Sequence, residues 1–242
     1  MAAKRREGGE EVAALILAAG ASRRMGGHDK IYAPLGGRPL VFYSLRLFEE
    51  TPEVSGVVAV TAPGGESKLR QLADQYGCQK VRGIVAGGEE RRDSAANGLL
   101  SAQHFFASDA AILIHDAARP FARPDTIRRL VQALAEADGA VPAVAVPDTI
   151  KKVAPEGGEV LATLPREELR AIQTPQAFRL GAIAEAYRTA VRERWPVTDD
   201  AAVLERAGGR VVTVEGDVNN FKVTYAEDLA RAEAVLAAEA AA

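Results

Sequence analysis

The sequence predicts an α/β fold built on a doubly wound, mostly parallel sheet, with a protruding β-hairpin, and three observations carry the prediction. Short apolar runs alternate with amphipathic stretches along most of the chain, as strands joined by crossover helices do. The first run, Val12 to Leu17, contains no polar residue, which suits a strand buried on both faces. It stops at Ala18-Ala19-Gly20-Ala21-Ser22, a corner so bare of side chains that a ligand can approach the main-chain N–H groups.

Residues 1–11, MAAKRREGGEE, lack apolar periodicity and read as a disordered tail. A signal peptide is disfavoured, because Glu7, Glu10 and Glu11 interrupt the basic start and the apolar run that follows is short. After the corner, Ile31 to Leu40 is a turn-rich connection, and Pro39 opens a helix with Leu40, Ser44, Leu47 and Phe48 on one face. Val57–Val60 is a strand, Glu66 to Tyr76 a helix and Val81 to Val85 another strand. Gly87-Gly88-Glu89-Glu90-Arg91-Arg92-Asp93-Ser94 then turns into a helix running to about Phe106.

Ala110 to Ile114 is a further buried strand, and Gly139 to Val146 the next. Asp148 to Val153 and Val160 to Leu164 flank Pro155-Glu156-Gly157-Gly158, a hairpin by its turn chemistry, and they make 147–167 a β-arm subdomain. Such an arm has little core of its own, so it calls for a packing partner, and a second copy of the chain is a candidate. Gln173 to Phe178 returns the chain to the sheet, followed by a helix over Gly181 to Arg192, a helix start at Thr198-Asp199-Asp200 and a strand over Arg210 to Val214. Tyr225 to Ala242 is an Ala-rich helix, with Leu229, Ala232 and Leu236 spaced to pack on the sheet. Residues 12–242 thus form one domain.

Composition bounds the function. A chain of 242 residues with 48% hydrophobic and 26% charged residues has an ordinary globular balance. A net charge of −3, with no dense basic run, disfavours nucleic acid as a partner. No stretch reaches the roughly 18 apolar residues of a membrane span, so no membrane partner is expected. The single cysteine, Cys78, cannot form an internal disulfide and reads as structural, which fits a reducing cytoplasm.

The chemistry gathers at predicted strand ends. Arg23, Arg24 and Lys30 put positive charge beside the bare corner, a combination suited to a polyphosphate. Neither G-x-x-x-x-G-K-[ST] nor G-x-G-x-x-G is present, so the P-loop and dinucleotide-hydride readings lack their glycines. The helix start after Gly87-Gly88 offers N–H groups and a positive dipole end to a nucleotide, although the two glycines also serve simply to turn the chain. Asp116 arrives beyond a strand's carboxyl end, where it can bind Mg²⁺ or a ribose hydroxyl. His115 beside it reads as structural, because a phosphate nucleophile needs no base near neutral pH. Lys222 stands beside the predicted strand ends or is an ordinary surface lysine.

L-A-A-G-A-S-R-R-M-G with D-K, G-G-E-E-R-R-D-S, H-D-A-A-R-P, D-T-I-K, Q-T-P-Q-A-F, V-T-D-D and N-N-F-K-V-T-Y-A-E-D-L follow one another from Val12 to the last helix. This ordered set resembles the cytidylyltransferases of the non-mevalonate isoprenoid pathway, nucleotidyltransferases with a Rossmann-like fold. The resemblance implies transfer of CMP from CTP to methylerythritol phosphate with a divalent cation such as Mg²⁺, in a cytoplasmic homodimer joined by exchanged arms. It implies that Arg24 and Lys30 stabilise the transition state, and that Ala18, Ala19, Gly20, Ala21, Gly88, Ser94 and Ala117 line the nucleotide site. It assigns Asp116 to the metal and ribose, and Thr149, Arg119, Thr174, Arg166 and Lys222 to the acceptor substrate, Arg166 and Lys222 also counting as catalytic.

Asp29-Lys30 stands where that family usually has Pro-Lys, and Met25 to Gly37 looks more like the molybdenum-cofactor guanylyltransferases. Ribitol 5-phosphate cytidylyltransferases share the expected fold, arm and CTP site, whereas Ala117-Ala118 matches the methylerythritol enzymes better. A non-catalytic nucleotide sensor on the same fold is a further reading.

Overall fold

The structure, a computed structural model, describes residues 11–20 and 30–240. The chain runs β1 (Val12–Ala18), β2 (Pro34–Leu35), β3 (Arg38–Pro39), α1 (Leu40–Glu50), β4 (Val54–Thr61), α2 (Glu66–Gln75), β5 (Val81–Ala86), α3 (Arg91–Ala102), β6 (Ala111–Asp116), α4 (Pro124–Ala133) and β7 (Gly139–Ala145). It continues through β8 (Lys151–Val153), β9 (Val160–Thr163), β10 (Arg170–Ile172), β11 (Gln176–Arg179), α5 (Leu180–Arg192), α6 (Asp200–Arg206), β12 (Val211–Glu215) and α7 (Ala226–Ala240).

Eight strands form the main sheet in the order β10-β7-β11-β6-β1-β4-β5, with β12 also paired to β7. β1 pairs in parallel with β4 and β6, and β4 with β5, so the first half of the chain builds the expected parallel core. β11 is antiparallel to both β6 and β7, and β10 is antiparallel to β7, so two strands run against the rest. Along β1, Ala14 and Ile16 join a cluster with Leu45, Phe48, Leu69, Ile127 and Leu130 of α1, α2 and α4. Ala13 and Leu15 join the opposite cluster, with Leu99, Ile183, Tyr187 and Leu204 of α3, α5 and α6. Alternate residues thus face opposite helical layers, and full burial of a Leu or Ile side chain stabilises by about 2 kcal/mol.

Several boundaries differ from the sequence reading. Glu11, counted there with the tail, already accepts the Ala111 N–H at 2.9 Å, while residues 1–10 lie outside the described ones. α3 ends at Ala102 instead of near Phe106. α4, opened by Pro124, has no counterpart among the elements expected from the sequence. α7 was expected to pack on the sheet. It buries Ala232, and partly Leu229 and Leu236, against Leu35, Leu40, Ala118, Phe121 and Val223, beside the small β2–β3 ribbon. Gly36, at φ +56°, lets that ribbon touch the helix: its N–H donates to Glu233 at 2.8 Å, and a Cβ there would lie 2.3 Å from Leu236.

β8 and β9 pair antiparallel as the predicted hairpin, and every residue of both strands is exposed. Val153, Val160 and Leu161 are each at least half exposed, so the arm has no core within its own chain.

Candidate active site

Crossovers leave β1 toward β4 on one side, and the chain later returns to β6 on the other, which puts a switch point at the carboxyl end of β1. In register there, Leu17 faces Asp116 and Ala18 faces Thr61, which in turn faces Ala86. A cavity of about 570 Å³ opens beyond these four strand ends. Ala19 and Gly20 from the first corner line it, as do Gly88 and Ser94 from the α3 entry, Asp116 from β6, and Lys30 and Lys222. Those seven sequence-predicted residues meet in one place.

Local chemistry sets the wall. α3 starts with a capping box in which the Glu90 side chain accepts the N3 backbone N–H and Asp93 accepts the Glu90 N–H at 3.2 Å. The Gly88 N–H donates to Ser94 Oγ at 3.1 Å, and a Cβ at Gly88 would lie 2.4 Å from that of Asp93. Only glycine fits that corner, which ties the loop to the positive end of the helix dipole.

Lys30 Nζ donates to the Val223 carbonyl at 3.0 Å, and Lys222 Nζ to Asp116 Oδ2 at 2.6 Å. Arg91, part of the charged turn in the sequence, also lines the cavity, with Nη2 3.6 Å from Asp116 Oδ1. Burial alone would push the Asp116 carboxyl up, but Lys222, Arg91 and Arg119 reverse this and hold it well below the usual carboxylate range. The pocket therefore carries a fixed carboxylate among cations at neutral pH.

His115 is fully buried, and burial pushes its pKa down to about 4. Its Nε2 lies 3.1 Å from the Arg119 carbonyl, which can only accept, so Nε2 is assigned the proton. Nδ1 then accepts from the Thr174 hydroxyl at 3.0 Å, and Thr174 Oγ1 accepts the Asp116 N–H at 3.0 Å. His115 and Thr174 fix the turn that carries Asp116 and do not face the cavity.

Ala18, Ala117, Arg119, Thr149 and Arg166 are not among the residues that line the cavity. Ala18 and Ala117 are buried, with 1% exposure each, and it is Ala118 that lines the cavity. Arg119 donates to the carbonyls of Asn220 and Ile172 outside the lining. Thr149 and Arg166 lie by the arm, where Arg166 Nη1 donates to the Pro147 carbonyl at 3.2 Å. Ala21 and Arg24 fall outside the described residues.

Among the described residues, no three His, Cys, Asp or Glu side chains form a metal cluster. Asp116 presents one carboxylate, whose Oδ1 stands beyond hydrogen-bond length from Arg91 while Oδ2 holds Lys222, so it could offer a divalent cation a single oxygen. No described helix is long and apolar enough to cross a membrane.

Residues 12–238 match the family model for 2-C-methyl-D-erythritol 4-phosphate cytidylyltransferase. The chain is 47% identical over 227 residues to the protein of that name from Rubrobacter xylanophilus, covering 93% of this chain and 94% of the relative. It is 44% identical over 228 residues to the one from Halalkalibacterium halodurans, covering 94% and 97%. Among solved structures it is similar to 4-diphosphocytidyl-2C-methyl-D-erythritol synthase of Anaerococcus prevotii, with a TM-score of 0.81 at 27% identity over 94% of this chain and 96% of that one. It is also similar to the cytidylyltransferase of Thermus thermophilus, with a TM-score of 0.74 at 30% identity over 92% and 98%. Matched along almost its whole length at this identity, the chain belongs to the 2-C-methyl-D-erythritol 4-phosphate cytidylyltransferase family.

Proposed function

We propose that the cavity binds CTP and methylerythritol phosphate together and that catalysis there consists of positioning and charge. The observation that carries this reading is the meeting of Lys30, Lys222, Arg91 and Asp116 beside the bare corner and the α3 start. A phosphate oxygen of the acceptor attacks the α-phosphorus of CTP in line, the bond to the β-phosphate oxygen breaks, and pyrophosphate leaves with the electron pair. Lys30 and the loop amides meet the charge that grows on the α-phosphoryl oxygens. Arg24 is assigned the same role by its place in the motif. Asp116 is the residue to hold Mg²⁺, which when bound neutralises phosphate charge.

Lys222, whose Nζ donates to Asp116, orients the acceptor phosphate in this reading. Thr149 and Arg166 are absent from the lining of this chain's own cavity, which supports their serving a partner's site through an exchanged arm. Ala19, Gly88 and Ser94, small residues of the lining, suit a pyrimidine in this reading. Pyrophosphate release with each of the four NTPs, crossed with methylerythritol phosphate, ribitol 5-phosphate and molybdopterin, tests the reading. CTP with methylerythritol phosphate should give the highest kcat/KM, and equal or better turnover with GTP would overturn the base assignment.

A further inference from the structure

Asp200 belongs to V-T-D-D, where the neighbouring Asp199 does the helix capping by accepting the Ala202 N–H at 3.1 Å. Asp200 has no part in that cap and is completely buried. Its Oδ1 accepts Arg91 Nη1 at 3.0 Å and the Tyr187 hydroxyl at 2.5 Å, and its Oδ2 accepts Arg91 Nη2 at 2.6 Å. A well-packed apolar side chain in a buried ion pair's place is often no less stable, so stability alone leaves this carboxylate unexplained.

The other side of Arg91 supplies the explanation. Nη2 is 3.6 Å from Asp116 Oδ1, while Lys222 occupies Asp116 Oδ2. The guanidinium is planar and its two-point fork onto Asp200 fixes where Nη2 stands, so it can shorten the 3.6 Å gap to Asp116 only by loosening that fork. We propose that Asp200 and Arg91 are a positioning pair for Asp116: Asp200 parks the guanidinium beside that carboxylate without letting it close, which leaves Oδ1 open to the incoming ligand. Among the ion pairs of the cluster, Arg91 and Lys222 face Asp116 and Asp200, and Asp200 itself is not in the cavity lining.

The proposal rests on Asp116 serving the nucleotide site, and the test separates the two. Asp200→Asn keeps the shape and removes the charge. Arg91, released, closes on Asp116, and kcat/KM for pyrophosphate release should fall about tenfold or more while circular dichroism stays native. Adding Arg91→Gln removes the loose guanidinium, so the double variant should regain at least part of the activity that Asp200→Asn loses. A folded Asp200→Asn protein with wild-type kcat/KM, or a folded double variant no better than Asp200→Asn, overturns the proposal. If Asp200→Asn does not fold, Arg91→Lys decides, because it keeps the charge and gives up the fork. A loss of about tenfold in folded Arg91→Lys supports the pair, and wild-type kcat/KM overturns it. Asp116→Asn reports on the site alone: full activity there removes the role of Asp116 itself, whatever the pair does.

Discussion

Lys30 lines the cavity with its ammonium 3.0 Å from the Val223 carbonyl, and in the proposed reading its charge meets the triphosphate. Lys30→Ala should lower kcat by about a hundredfold while calorimetry still detects CTP binding, and an unchanged kcat would remove Lys30 from the chemical step. His115 makes a different demand. Its folded pKa is lowered by burial from 6.5 to about 4, so between those values the unfolded chain binds a proton that the folded one refuses. Stability therefore falls as pH drops through that window, by about 3 kcal/mol at most from this group. A ring-nitrogen NMR titration should show His115 neutral until about pH 4.5, and a midpoint near the ordinary histidine value would contradict its burial. Charge and glycine beside predicted strand ends singled out Lys30, Gly88, Asp116 and Lys222, the resemblance added Ser94, and all five line the cavity. Facing was not legible: Asp116, Ala117 and Ala118 are adjacent in sequence, yet only the first and third reach the cavity. Arg91 stayed hidden because its buried partner Asp200 is 109 residues away.

Among the elements, local periodicity disclosed every strand of the parallel core, and the hairpin followed from its two glycines at φ +86° and +92°. α7 was misplaced because its small residues define an apolar stripe without saying what lies across from it, and Leu35 and Val223 are what it meets. The arm makes the sharpest prediction at this scale. If it crosses to a partner, Lys30→Ala and Arg166→Ala chains refolded together should regain roughly a quarter of wild-type activity, since half the dimers are mixed and each has one intact site. Failure to recover activity, with heterodimers demonstrated, would place Arg166 in its own subunit's site.

For the whole molecule, the cavity draws on both ends of the chain. Ala19, Gly20 and Lys30 come from its first part and Lys222 and Thr224 from its last, joined by the hydrogen bond from Lys30 to Val223. That junction has a meaning for synthesis on the ribosome. β5, β4, β1 and β6 can all pair once residue 116 has emerged, and the last strand of the sheet, β12, ends at Glu215. A chain released at that point owns every strand but lacks Lys222, the Val223 carbonyl and the helix behind them. The cavity is thus the last part of the molecule to be completed, because part of its wall is drawn from residues that follow every strand in the chain.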